Sequence, residues 1–96
     1  MWRDDAVEFE WDEAKRQRGI AKHQVDLVYA AGVFEGPVLI APDDRGEYGE
    51  DRFTAIGMVL GELFVVVFTQ RGDKVRLISA RKGGRRDRSK YQTRLA

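Results

Sequence analysis

Residues 63–70 read LFVVVFTQ, six apolar side chains in a row followed by Thr69 and Gln70. The run is short, β-branched and aromatic, and Gly61 and Arg71-Gly72-Asp73 bound it, which is the pattern of a strand rather than a helix. Because it is apolar on both faces, it reads as a central strand covered on both sides. The fold must therefore supply a layer above and a layer below it. Upstream, RFTAIGMVL (52–60) is a second strand, and Gly61–Glu62 between them suits a two-residue type II′ hairpin with Gly first. Downstream, RGD (71–73) turns the chain into a last strand, KVRLISA (74–80). Regular alternation there places Lys74, Arg76 and Ile78 on one face and Val75, Leu77 and Ser79 on the other.

Before this block, VLIA (38–41) is a short apolar run, and PDDRGEYGED (42–51) is a polar loop without a core-forming pattern. VEFEW (7–11) alternates as a short half-buried strand. Asp12 then caps a helix over EAKRQRGIAK (13–22), in which Gly19 costs about 1 kcal/mol relative to Ala. His23 and Gln24 form the turn into a second helix, VDLVYAAGVF (25–34), buried on most sides and ended by Gly36–Pro37. From Gly84 a last helix carries Asp87, Tyr91 and Leu95 on one stripe. Trp2 and Trp11 read as packing residues. The sum is an α+β domain: an antiparallel sheet of four strands, with the N-terminal segment available as a fifth, two N-terminal helices and one C-terminal helix.

Ninety-six residues suffice for one domain, 1–96, with a single modest core. No apolar run approaches the roughly 20 residues that span a bilayer, so no membrane association is expected. The acidic start MWRDDAVEFEW has no signal-peptide core, so the cytoplasm is the expected compartment. Zero cysteines and one histidine exclude disulfides, thiolate metal sites and the usual zinc ligand set. No metal or other cofactor is expected.

The charge of +1 hides an asymmetry. Residues 1–70 carry seven basic and fourteen acidic side chains, whereas residues 71–96 carry ten basic and two acidic. Two readings fit: a nucleic-acid surface at the C-terminal end, or two halves that pair with each other through surface salt bridges. The stretch RLISARKGGRRDRSKY (76–91) holds seven of those cations against one acid, Asp87. Arg85, Arg86 and Arg88 crowd the first turn of a helix, where the N-terminal dipole already carries positive charge. An anionic ligand explains the placement, since a helix N-terminus with Arg makes a phosphate site. Gly83–Gly84 would let backbone approach such a ligand. Twelve Arg against five Lys favours bidentate phosphate recognition. Neutralisation by Asp87, Glu47 or Glu50 is the structural alternative. The polar loop adds Arg45, Tyr48 and Glu50, and Arg52 at the start of the next strand could reach the same site as Arg76 and Arg81, with Glu50 as a base and Tyr48 as a stacking platform. His23 is the residue type that titrates nearest neutrality, although a histidine at a helix end more often caps a carbonyl. Tyr91 serves as a pin for the last helix or as a ligand contact.

The segments WDEAK, KHQV, YGEDRFTAIG, LFVVVFTQRGD and VRLISARKGGRRDRSKY, in this order and spacing, resemble the BrnT family of ribonuclease toxins from type II toxin–antitoxin pairs, which have a RelE-like fold. The chain departs from the usual family pattern at Gly19, Gln24, Gly46, Gln70 and Gly83–Gly84. At Gly46 the usual residue is a histidine, at Gln70 an acid, and at Gly83–Gly84 Ala-Thr. The resemblance implies metal-independent endonucleolytic cleavage of RNA by 2′-hydroxyl attack, and so inhibition of translation. By this implication Arg76 and Arg81 hold the scissile phosphate and Arg52 the same or an adjacent one. His23 or Glu50 is the base, Lys82 the acid, and Arg85, Arg86, Arg88 and Tyr91 bind flanking RNA. The implied partner is a BrnA-like antitoxin with a ribbon-helix-helix DNA-binding part, through which alone the toxin meets operator DNA. Two alternatives accompany this reading: a binding module without activity, favoured by Gly46 and Gln70, and a ParE-like toxin with a target other than RNA.

Overall fold

The computed structural model describes residues 7–46 and 49–95, with side chains described up to Arg94. Trp2, Glu47, Tyr48 and the side chain of Leu95 lie outside the described residues. The elements run β1 (Glu8–Glu10), α1 (Glu13–His23), α2 (Leu27–Ala30) with a 3-10 turn over Ala31–Glu35, β2 (Val38–Pro42), β3 (Phe53–Val59), β4 (Glu62–Arg71), β5 (Lys74–Lys82) and α3 (Arg85–Leu95). The strands form one sheet in the order β1-β5-β4-β3-β2. All neighbours are antiparallel except β1 and β5, which run parallel. The N-terminal segment is thus the fifth strand, and α+β holds for the whole.

The LFVVVFTQ segment lies where its pattern requires, in the third of five positions, and Leu63 to Thr69 are buried. Phe64, Val66 and Phe68 face the layer made by α1, α2 and the 3-10 turn, joining Val25, Leu27, Ala30 and Val33 in one core. Phe34 meets Phe68 edge-on at 5.2 Å between ring centroids. On the other face Leu63 and Val65 form a smaller core with Ile56, against which Tyr91 of α3 packs. Each buried side chain of this size contributes about 1.5–3 kcal/mol. Among the described residues no helix is long and apolar enough to cross a membrane.

Asp12 caps α1 as expected, accepting from the amides of Ala14 and Lys15 at 2.9 and 3.2 Å. Three local expectations are corrected. The second helix is not ten residues long: Asp26 caps a four-residue α2, and the chain then tightens to 3-10 winding. That winding aligns i and i+3, so Ala30 with Val33 and Ala31 with Phe34 face the sheet together. The β3–β4 hairpin turns on Leu60–Gly61 rather than Gly61–Glu62, because Val59 pairs with Glu62. Both turn residues have positive φ, 50° and 83°, so the turn is type I′. The polar loop does contribute to the interior, since the Asp43 side chain is 2% exposed.

Candidate nucleic-acid interface

The site starts from an irregularity in β5. Val67 pairs with Ser79 but Phe68 pairs with Leu77, so Ile78 is an extra residue, a β-bulge. Thr69, Val67 and Val65 share the face of β4 opposite to Phe68, and their partners are Arg76, Ser79 and Arg81. Five positions apart in an unbroken strand, Arg76 and Arg81 would point to opposite faces. The bulge brings both to the α3 face. It also corrects the alternation expected from the sequence, because Ser79 joins Arg76 rather than Leu77.

Helix α3 covers only part of this face, packing toward β2 and β3. The Tyr91 hydroxyl donates to the Pro37 carbonyl at 2.9 Å, which makes Tyr91 the pin of the helix. Beside α3 an open cleft of about 130 Å³ is lined by Arg45, Thr54, Val65, Val67, Ser79, Ala80 and Arg81. The outer edge of β5 is open as well. Strand β1 pairs only with Lys74, Val75 and Arg76. Beyond them, His23, Val25, Ser79, Ala80, Arg81 and Lys82 line a second depression of about 560 Å³. Ser79, Ala80 and Arg81 border both. His23 ends α1, but the helix is closed by Gln24, whose left-handed backbone (φ 58°) directs its N–H to Gly19 and Ile20. The capping role expected of His23 therefore falls to Gln24, and its ring has no hydrogen bond among the described residues.

Carboxylates accompany most of the expected site cations. Arg81 makes a two-pronged pair with Asp87, Nη1 to Oδ2 at 2.8 Å and Nη2 to Oδ1 at 3.2 Å. Asp87 also accepts the Gly84 amide at 2.8 Å, so it caps α3 from within. The Arg81 guanidinium, helped by that amide, holds the Asp87 carboxyl below the usual carboxylate range. Arg76 lies 3.6 Å from Glu10, its partner on the β1–β5 ladder, and Lys82 lies 3.4 Å from Glu62. Glu50 sits between Arg52 at 3.4 Å and Arg71 at 3.6 Å. Arg52, one position beyond the Phe53–Phe68 rung, is level with Arg76, but it lines a separate recess with Asp43, Asp44, Glu50 and Asp51. Glu50 borders neither depression at Arg81.

Arg45 closes on Asp43 through Nε and Nη2, at 2.8 and 3.0 Å, and lowers the pKa of that buried carboxyl. Arg85, Arg86 and Arg88 are exposed on α3 and have no ion-pair partner among the described residues. Gly83 has a different reason from the one expected. A Cβ there would stand 2.5 Å from Leu63 Cδ2, so the residue is small to admit the core, not a ligand. Thr54 and Ser79 had no signal in the sequence, whereas Asp87, the one acid in 76–91, was expected as a neutralising partner and takes that role at Arg81.

A search of the curated proteins finds no match to this chain. The family model described as "Ribonuclease toxin, BrnT, of type II toxin-antitoxin system" matches residues 11–87. The matched span runs from Trp11, ahead of α1, to Asp87, and takes in His23, Glu50, Arg52, Arg76, Arg81 and Lys82, while Arg88 and Tyr91 lie beyond it. On that match the chain belongs to the BrnT family of ribonuclease toxins.

Proposed function

We propose that this chain is an endoribonuclease that cleaves RNA without a metal ion in the cytoplasm, and that a BrnA-like antitoxin with a ribbon-helix-helix part neutralises it and connects it to operator DNA. The observation that supports the reading is the bulge at Ile78, which sets Arg76, Ser79 and Arg81 on one face, where Ser79 and Arg81 line an open cleft. In the reaction the 2′-oxygen bonds to the adjacent phosphorus while the bond to the 5′-oxygen breaks. One proton leaves the 2′-hydroxyl and another reaches the 5′-oxygen, giving a 2′,3′-cyclic phosphate and a 5′-hydroxyl. The phosphorane gains negative charge, which Arg81 and Arg76 stabilise. His23 is preferred over Glu50 as the base because it shares a depression with Arg81 and Lys82, whereas Glu50 is held between Arg52 and Arg71. Lys82 is the acid. Exposed ion pairs such as Lys82–Glu62 are worth at most about 1 kcal/mol, so a phosphate can displace them.

The test is purified protein with end-labelled RNA in excess EDTA. Fragments ending in 2′,3′-cyclic phosphate, lost on 2′-deoxy substitution at the cut site and strongly reduced by Arg81→Ala, are expected. Dependence on an added metal would end the proposal. A second reading, a module that binds RNA or antitoxin without cutting, is favoured by the carboxylates beside Arg52, Arg76, Arg81 and Lys82. RNA binding without any cleavage would establish it.

A further inference from the structure

Among the described residues Arg16, Arg45 and Arg81 make two-pronged pairs with carboxylates, and Arg81 does so differently. Arg16 grips Asp26 through Nε and Nη2, at 2.8 and 2.9 Å. Arg45 grips Asp43 through the same two nitrogens. In both, the side edge of the guanidinium is spent on an internal acid. Arg81 instead offers Asp87 its end edge, Nη1 and Nη2. The second Nη1 hydrogen is directed to the Lys82 carbonyl at 3.4 Å. A guanidinium has five N–H donors. The two that remain on Arg81, Nε–H and the outer Nη2–H, have no acceptor among the described residues, and together they form the side edge. That edge matches two oxygens of one phosphate.

We infer that Asp87 is a positioning residue that presents the side edge of Arg81 to the scissile phosphate. The inference rests on the proposed ribonuclease reading and deepens it. Asp87 is suited to the task because it is itself fixed. Its Oδ2 takes the Gly84 amide, it is only 13% exposed, and it belongs to the first turn of α3. Arg81 is thereby referenced to two elements, β5 through its backbone and α3 through Asp87. A long side chain that would otherwise lose rotamer freedom on binding is already ordered. The carboxylate takes a pair of donors that the phosphate does not need, so it orients the arginine rather than blocking it.

The experiment compares wild type with Asp87→Asn, Arg81→Lys and the double variant, on an RNA substrate at fixed ionic strength. Asparagine keeps an oxygen for the Gly84 amide, so the cap survives and the melting temperature should stay near that of the wild type. It cannot hold both Nη groups. The expected result is a fall in kcat on the order of a hundredfold, the cost of misplacing a group by about 1 Å, with KM little changed. Arg81→Lys keeps the charge without a fork and should be similarly impaired. Adding Asp87→Asn to Arg81→Lys should then cost nothing further. Unchanged or increased activity of Asp87→Asn would overturn the inference, since the carboxylate would then be idle or a competitor of RNA. Independent, multiplicative losses in the double variant would overturn it as well. If the wild type cuts no RNA, the ribonuclease reading fails by itself. The same four proteins then report on positioning through their affinity for single-stranded RNA: weaker binding by Asp87→Asn supports it, and equal or tighter binding overturns it.

Discussion

Gly83→Ala tests whether the end of β5 is small for the core or for a ligand. The added methyl would stand 2.5 Å from Leu63 Cδ2 and 2.8 Å from Leu63 Cγ, against a carbon–carbon optimum of about 3.5–4.0 Å. Leu63 must retreat by about 1 Å, yet it is 2% exposed and packed with Ile56 and Val65. The backbone cannot give instead, because the Gly83 amide donates to the Leu63 carbonyl at 2.8 Å. Overpacking of this kind costs about 1–3 kcal/mol, and the smaller entropy of the unfolded alanine chain returns about 0.4–1. The net is about 1–2 kcal/mol, and each 1 kcal/mol lowers the melting temperature of a domain this size by about 4–8 °C. Circular dichroism melts of Gly83→Ala beside Gly84→Ser check it. A Cβ at residue 84 meets only Asp87 Oδ2 at 3.8 Å, so the serine should be neutral or slightly stabilising. In a Leu63→Ala background only the Cβ of residue 63 remains, at 3.2 Å, so most of the Gly83→Ala penalty should be lost. A Gly83→Ala protein that melts with the wild type, or a penalty undiminished by Leu63→Ala, would refute the steric account.

Leu60 is 91% exposed with φ 50°, in a type I′ turn that favours Asn or Gly, so Leu60→Asn should raise stability by about 1 kcal/mol, read as an upward shift in the melt. Asp26→Ala removes the acceptor of the Val28 and Tyr29 amides, a cap worth about 1 kcal/mol, together with the Arg16 pair. Because Arg16 holds the carboxyl of Asp26 below the usual range, the stability this pair contributes is complete above about pH 4 and is lost as pH falls further. The gap between wild type and Asp26→Ala in urea melts should therefore be constant from pH 5 to 8 and close in stronger acid. Tyr91→Phe should lose about 1 kcal/mol with the Pro37 bond while leaving RNA cleavage unchanged, since Tyr91 packs the helix. Replacing Arg85, Arg86 and Arg88 with Gln should flatten the salt dependence of RNA binding by about 2 in log–log slope, at about 0.7 per phosphate contact; an unchanged slope would remove α3 from the interface.

The layered fold was legible because its signals are local. Six apolar residues at 63–68 require cover on both faces, Asp12 before a polar-faced segment marks a helix start, and alternation at Val7, Phe9 and Trp11 marks a strand. The parallel pairing of that strand was not legible, since alternation says nothing of direction. The bulge at Ile78 was hidden for a related reason. Every residue from Lys74 to Lys82 is compatible with a regular strand, and only the demands of the two faces of β4 decide where the extra residue goes. Ala80 must join the larger core and Leu77 must too, and three positions cannot share a face without an insertion. Two cores, not one residue, set the spacing of Arg76 and Arg81.

The charge asymmetry, too, resolves only in three dimensions. Across the division at Gln70, Arg71, Lys74, Arg76 and Lys82 find Glu50, Glu8, Glu10 and Glu62, and Arg81 finds Asp87 within its own half. The pairing reading therefore holds on the sheet, and the C-terminal cations without an ion pair among the described residues, Arg85, Arg86, Arg88, Lys90 and Arg94, all lie on α3. The two sets do different work under the proposed reading. Exposed, unpaired guanidinium groups on a helix attract a polyanion over about a Debye length, roughly 8–10 Å at ordinary salt, but their long side chains define no geometry. Arg81 has the reverse character. Its charge is largely cancelled at a distance by Asp87, while its remaining donors are held still for a contact at about 3 Å. A surface that first attracts and then orients needs both kinds, and a net charge counted from the sequence cannot tell one from the other.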